Sequence, residues 1–253
     1  MEILTNWTGV GGAGEMLSRY GHFLAGITWI GLLYYFNFVQ TPAFAEMEAG
    51  ARSEALRKVT FRALWWFRWG AALTFLTGVL ILTFQKNLGE NFSDYFASSQ
   101  GLSIAIGALF ATTMFLNVWL VIWPAQKIVI GSAESVAAGG PEDPRAGASA
   151  KKGARASRAN TLMSIPMLWF MAFTSHFAPR YDFLPGSGKL WTVWIIFLAI
   201  LAFIELSALG MLGGYDSAQN KLFFDTHRNT IVAGFAVWLI LLLVGFEGVI
   251  GGA

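Results

Sequence analysis

Residues 190–212 read LWTVWIIFLAILAFIELSALGML, an almost wholly apolar stretch whose single charged side chain is Glu205. A helix needs about 20 predominantly apolar residues to cross the hydrocarbon core of a bilayer. The stretch meets that length, and its continuous apolar character lacks the two-residue alternation of membrane-barrel strands. It therefore predicts a transmembrane helix, and the same criterion of length and hydropathy can be applied to the rest of the chain.

The composition of the whole chain agrees with this reading. Hydrophobic residues make up 55% and charged residues 13% of its 253 residues, against about 45–50% and 25% in a soluble domain. The formal net charge of +2 is too balanced to suggest a nucleic-acid partner. With no Cys in the sequence, disulfides, Fe–S clusters and covalently attached c-type haem are excluded. The composition indicates an integral membrane protein, with the lipid bilayer as its first partner.

Six segments match the length and hydropathy of a membrane span. They are Tyr20–Ala45, Ala63–Phe84, Gly101–Trp123, Thr161–Ala178, Leu190–Leu212 and Thr230–Phe246. We therefore predict an all-α bundle of about six transmembrane helices, with residues 1–253 forming a single transmembrane domain. Residues 131–158 lie between the third and fourth spans and are rich in Ala, Gly, Ser and Pro. That composition favours a mobile cytoplasmic linker loop.

The basic residues alternate between the loops. Twelve lie in the loops that follow the first, third and fifth spans: Arg52, Arg57, Lys58, Arg62, Lys127, Arg145, Lys151, Lys152, Arg155, Arg158, Lys221 and Arg228. Four, namely Arg19, Lys86, Arg180 and Lys189, lie on the other side. By the positive-inside rule the twelve face the cytoplasm, so both termini are predicted to face the periplasm of a bacterial inner membrane.

Two of the three His residues are predicted at the same membrane depth. His22 lies in the first turns of the first span and His176 in the last turns of the fourth, and these spans run in opposite directions. Two imidazoles at one depth on facing helices are suited to the axial ligands of a b-type haem. Arg19 and Arg180 lie one turn further outward, where they could meet haem propionates. As the alternative to haem binding, the two His residues could form structural hydrogen bonds at the membrane boundary, and the two Arg side chains could extend toward the aqueous interface.

His227 differs from the other two because it lies at the cytoplasmic start of the sixth span. It is a weak candidate for a second haem iron. Asp225 or Thr226 just before it would cap the helix, and a surface role for His227 fits equally.

A second group of polar side chains falls within the inner halves of the spans. Glu205 has no counter-ion in its own segment, and Arg68 is its expected partner by depth. Asn37 and Asn117 lie toward the same side. These residues could form a pocket for a substrate, a quinone head group or a proton path, or a structural network that fixes helix register.

Residues 19–40, RYGHFLAGITWIGLLYYFNFVQ, together with Pro42-Ala43-Phe44 and residues 65–70, WWFRWG, carry a recognisable pattern. They resemble the membrane domain of bacterial cytochrome-c-linked urate oxidases. The spacing of His22 and Trp29-Ile30-Gly31 more loosely resembles small membrane haem proteins of the protoporphyrinogen-oxidase and copper-resistance groups. In the first of these groups, that His is associated with haem.

The resemblance implies a membrane-bound redox protein holding haem b, and an oxidoreductase similar to urate oxidase. Glu205, Arg68 and Asn37 are then the candidate catalytic residues. The full-length oxidase carries a c-type cytochrome with a Cys-x-x-Cys-His motif, which this sequence lacks. Electrons would therefore pass to a separate periplasmic cytochrome c or other respiratory partner. The alternative is a non-catalytic accessory subunit of a respiratory or photosynthetic membrane complex; transport of copper is a weaker alternative.

Overall fold

The computed structural model describes residues 6–8, 11–84, 92–181 and 188–251, and within these ranges the chain forms helices and no strand. The helices are α1 (Ala13–Glu46), α2 (Ala49–Phe84), α3 (Phe92–Phe96), α4 (Ser99–Ala137), α5 (Ala146–His176), α6 (Gly188–Ala208), α7 (Ala218–Phe224) and α8 (His227–Ile250). The predicted all-α membrane fold is confirmed.

Five of these helices are long and apolar enough to cross a membrane, namely α1, α2, α4, α6 and α8. Each contains one of the predicted spans, although the fifth span ends earlier than we predicted. Helix α6 stops at Ala208 rather than Leu212. The chain turns just beyond it, where Gly210 adopts a left-handed φ of 74° that favours glycine.

Most of the remaining predicted span, Thr161–Ala178, belongs to α5, which ends at His176 and is more polar than these five helices. Helix α5 buries 15 of its 31 residues, and it contacts α1, α4, α6 and α8. The most apolar windows of the other five bury only 22–33% of their residues. Because α5 faces protein on most sides, it needs less apolar surface for lipid.

Contacts between helices show that two pairs of consecutive helices run in opposite directions. Helices α1 and α2 are antiparallel, since Gly14 lies beside Phe84 and the backbone of Trp29 lies beside Gly70. Helices α4 and α5 are also antiparallel, since Ser99 Oγ donates to Ala178 O and Ser103 Oγ donates to Phe170 O. This antiparallel arrangement is what short connections between membrane helices require.

Helix α8 packs closely on α5 at a proline. Pro166 has no N–H, so the carbonyl of Leu162 loses its normal helical partner. Gly234 of α8 lies against that carbonyl: a Cβ at this position would be 2.8 Å from Leu162 O. Only glycine allows the two backbones to approach this closely.

Three of the membrane helices contain a π-helical segment near the same end of the bundle. These segments are Tyr35–Gln40 in α1, Leu56–Thr60 in α2 and Asn117–Ile122 in α4. A fourth, Ile240–Ile250, forms the end of α8. Such turns are rare and often lie at functional sites.

The expected linker at residues 131–158 is mostly helical, which corrects our prediction. Helix α4 continues to Ala137 and α5 begins at Ala146, leaving only a short connection. Asp143 N donates to Ser132 Oγ at 2.9 Å, which holds this connection against the end of α4. An Ala-rich sequence is a good helix former once neighbouring elements fix it, and the composition alone did not show these neighbours.

The first half of α5 is tied to the connection between α6 and α8. Lys151 Nζ lies 2.7 Å from Asp216 Oδ1, and Arg155 pairs with Asp225. Two of the four basic residues at positions 151–158 are therefore already neutralised within the protein. The positive charge of this segment serves the fold as well as the orientation of the chain.

The connection before α5 should be sensitive to acid. The side chain of Arg145 lowers the pKa of Asp143 from 3.8 to about 2, helped by a 2.8 Å hydrogen bond from Arg145 N. A lowered pKa in the folded state stabilises the protein above the unfolded value, and that stabilisation is lost as the pH falls from about 4 to 2.

Asp143→Asn should therefore lower the melting temperature slightly at pH 5–6 and have no effect near pH 2, because exposed ion pairs contribute little. Thermal unfolding from pH 2 to 6 measures this, with Glu142→Gln as the control carboxylate. An effect of Asp143→Asn that is equal at all pH values would contradict the assignment.

Candidate functional site

His22 is anchored on α2 by one ring nitrogen. His22 Nδ1 lies 3.2 Å from Thr77 Oγ1, and the ring packs against Gly78, where a Cβ would be 3.2 Å from its Cε1. Thr77 Oγ1 is also placed to donate to Leu73 O at 2.6 Å. Because this bond uses the hydroxyl hydrogen, the hydroxyl accepts from Nδ1–H. The Nε2 atom of His22 then carries the free lone pair that a metal ligand needs.

His176 is the last residue of α5, and its side chain is exposed beside the ring of Phe177. Tyr34 Oη lies 2.9 Å from Ser164 Oγ, which links α1 to α5. His22 and His176 are each twelve residues from this link, toward the same end of the bundle. They therefore lie at similar depth, as the sequence predicted, but the contacts of His22 are with α2 and those of His176 with its own helix.

The two Arg residues near these His residues already have neighbours. Arg19 makes two bonds with Glu15 Oε1, at 2.6 and 2.8 Å. Arg180 lies 5.6 Å from the ring of Phe177. The guanidinium that we expected to be available near His22 is thus paired within α1, although its side chain is 45% exposed.

The glycines near His22 bring two helices together. Gly21 and Gly26 of α1 face the side chains of Thr77 and Thr74 of α2 at van der Waals distance. Small residues at these positions allow α1 and α2 to pack closely.

His227 is the first residue of α8, with its ring 6.0 Å from that of Phe38. Thr226 Oγ1 accepts from Asn229 N at 3.2 Å, so Thr226 is the helix N-cap and that prediction is confirmed. Throughout the described ranges, no group of three or more His, Asp or Glu is placed to hold a metal ion.

Glu205 takes part in a buried amide network rather than an ion pair with Arg68. Asn117 Nδ2 donates to Glu205 Oε2 at 2.9 Å and to Asn160 Oδ1 at 3.0 Å. Asn160 Nδ2 in turn donates to Met114 O at 2.9 Å. The network joins α4, α5 and α6 in the middle of the bundle. Asn160 is fully buried, and the sequence analysis did not single it out.

Arg68, expected to pair with Glu205, lies instead among aromatic rings. Its guanidinium carbon is 3.9 Å from the ring centroid of Trp123 and 5.5 Å from that of Trp119. A planar guanidinium stacks well on such rings. The predicted partnership is wrong because hydropathy gives the depth of a residue but not the direction in which its helix face points.

Asn37, the third predicted catalytic residue, lies apart from both. Asn37 Nδ2 donates to Leu33 O at 2.9 Å and to Ser157 Oγ at 2.8 Å. It lines a cavity of about 110 Å³ between α1, α2, α4 and α5. The wall also includes Gln40, Thr60, Gln126 and Arg158, which the sequence analysis did not connect with Asn37. The candidate catalytic residues therefore occupy three separate environments.

The sequence model of one protein family, described as "Urate oxidase N-terminal", matches residues 90–209. The middle of the chain is similar to the urate oxidase N-terminal family. This finding confirms the suspected resemblance, and the match covers a little under half of the chain. Comparisons with curated proteins and with solved structures found no match.

The urate oxidase match and the motifs that suggested it lie in different parts of the chain. The motifs end at residue 70, whereas the match runs from the segment before α3 to just beyond α6. The matched segment contains the buried network of Asn117, Asn160 and Glu205. His22, Arg68 and Asn37 lie outside it.

The buried network predicts a measurable loss of stability. Asn160→Leu removes the acceptor of Asn117 and leaves Met114 O without its side-chain donor, so we expect the free energy of unfolding to fall by about 1–2 kcal/mol. Unfolding by SDS in mixed micelles measures it. Glu205→Gln retains a side-chain oxygen for Asn117 and should cost clearly less. Equal losses in the two variants would show that the Asn117–Asn160 bond adds nothing.

Proposed function

We propose that the protein is a membrane-bound b-type haem redox protein of the urate oxidase type. The observation that carries the proposal is the hydrogen bond of His22 Nδ1 to Thr77, because with Nδ1 as the donor the lone pair of the ring lies on Nε2. Metal-ligating His residues almost always donate their other ring N–H in this way. The similarity of residues 90–209 to the urate oxidase N-terminal family supports the same class of protein.

The donor chemistry of His22 fits a haem ligand. A haem bound there would supply one-electron transfer. The role of His22 is to offer Nε2, and the role of Thr77 is to fix the ring and its protonation state. His176 at similar depth is the proposed second ligand. Arg19 and Arg180 lie near this end of the bundle and are the proposed partners of anionic haem substituents.

The proposed electron partner is a separate periplasmic cytochrome c or another respiratory component. The sequence has no Cys, so it cannot hold a covalently attached c-type haem itself. For an oxidoreductase activity like that of urate oxidases, the proposed electron acceptor lies outside these 253 residues. The alternative is an accessory subunit of a larger membrane complex.

An absorption spectrum tests the haem proposal. Protein expressed with a haem supply and purified in detergent should show a Soret band and a reduced-minus-oxidised difference spectrum. His22→Ala should lose both, whereas the control His227→Ala should retain them. Thr77→Val should weaken haem affinity by about 10–100-fold, the usual effect of removing an outer-shell partner, and Thr77→Ser should restore it.

Two results would contradict the haem proposal. Absence of a Soret band from the folded wild type would exclude it, and a spectrum unchanged by His22→Ala would place the haem elsewhere. Haem-free protein recovered in a fixed ratio with other membrane subunits would favour the accessory-subunit alternative.

The proposed location is the inner membrane of a bacterium, with the connection at residues 138–145 in the cytoplasm. A reporter that is active only in the periplasm should be silent when inserted after Gly139 and active when fused after Ala253. The opposite pattern would overturn the proposed orientation, and activity at both positions would exclude the alternating topology.

A further inference from the structure

Three π-helical turns surround one cavity. Its wall includes Phe36, Asn37 and Gln40 from the turn in α1, Thr60 from the turn in α2, and Ile122 from the turn in α4. The fourth side is α5, through Gly153, Ala154, Ser157 and Arg158. A π turn replaces the regular i→i+4 hydrogen bonds of an α-helix by a wider, less favourable pattern. Such turns are retained mostly at functional sites. Convergence of three such turns on one space points to a site.

Some polar side chains of the cavity wall bond to each other, but others have N–H donors without an acceptor in the described part of the chain. Asn37 is held by Ser157, and Thr60 Oγ1 donates to Gln40 Oε1 at 3.0 Å. The amide N–H groups of Gln40 and Gln126 have no hydrogen bond with the described part of the chain. Gly153 packs beside Ala125 and Gln126, since a Cβ there would lie 3.3 Å from Ala125 Cβ and 3.5 Å from Gln126 Nε2.

The charge of the wall is positive. Arg158 is the only charged residue that lines the cavity, and its Nη1 atom is buried without a hydrogen-bond partner in the described structure. The nearby carboxylate of Asp225 is already bonded to Arg155. A buried guanidinium N–H without a partner is costly, and an anion in the cavity would satisfy it.

The apolar part of the wall is aromatic. Phe36 and Phe67 pack edge to face, with ring centroids 5.4 Å apart, and both line the cavity. The volume of about 110 Å³ exceeds several-fold the roughly 10–15 Å³ that one water needs. It remains below the roughly 300 Å³ of drug-sized pockets. The occupant is therefore small, and a flat molecule can contact the aromatic rings.

We propose that this cavity binds a small planar organic anion, with Arg158 pairing its charge and Gln40 and Gln126 donating to its polar edge. In the proposed redox protein it would be the substrate-side cavity, and in that respect the inference rests on the proposed function. Binding itself does not require haem, so the two proposals can fail separately.

Calorimetric titration of the full-length protein in phosphatidylcholine nanodiscs tests the inference, with empty nanodiscs as the blank. The probes are benzoate and urate as planar anions, benzamide as the neutral analogue of benzoate, and inorganic phosphate as a non-planar anion. We expect the planar anions to bind more tightly than benzamide or phosphate. Arg158→Gln should raise their Kd by tenfold or more, since charge-assisted bonds are the strong ones.

The control is Lys152→Gln, which removes the same charge from the exposed part of α5 and should leave the Kd unchanged. If Arg158→Gln fails to fold, Gln126→Leu replaces it as the test, because the side chain of Gln126 makes no hydrogen bond with the described residues; a severalfold rise in Kd is expected. Binding unaffected by these variants, preference for phosphate, or no binding of either planar anion would each overturn the proposal.

Discussion

The position of α5 in the centre of the bundle is the constraint on which the other contacts depend. A helix in lipid must satisfy its own backbone and presents apolar side chains to the hydrocarbon. Helix α5 faces protein instead, so it can carry Asn160, Ser164 and Thr174 at positions buried against its neighbours. Without a strong hydrophobic drive between helices in lipid, such polar contacts and close backbone packing decide which faces meet.

The type of polar contact that α5 makes changes along its length. Near His176, hydroxyl groups link α4 and α5: Ser103 Oγ donates to Phe170 O, and Thr174 Oγ1 donates to Ser103 Oγ. In the middle, Asn160 joins the amide of Asn117. Toward its start, α5 carries Arg155, which pairs with Asp225, and Arg158, which has a buried unpartnered N–H. The same helix therefore stabilises the bundle at one end and provides a positively charged cavity wall at the other.

The two proposed functional regions lie at opposite ends of α1. His22 is in the half that packs on α2 through Gly70 and Gly78, and Asn37 is in the π turn toward the other end. In a membrane this separation would place the proposed redox group and the proposed small-anion cavity near different faces. Electron transfer and ligand entry would then be served by different sides of the bilayer.

The sequence by itself determined the class of the protein, the approximate positions of the five helices long and apolar enough to cross a membrane, and the expected depth of their polar residues. These follow from local hydropathy and length, because every membrane helix must meet the same lipid thickness. Depth correctly placed His22 and His176 at one level. It also led to Arg68 as the partner of Glu205, which was wrong because Arg68 stacks on Trp123.

Only the tertiary structure decided the lateral partners. The rotation of each helix about its axis depends on packing against all its neighbours, and no local pattern encodes it. The same reason explains why residues 131–158 became helix: Lys151 and Arg155 of this segment pair with Asp216 and Asp225, which lie in the connection between α6 and α8. The cavity beside Arg158 is lined by residues from four helices. The sequence identified some of these residues, but it could not show that they lie together.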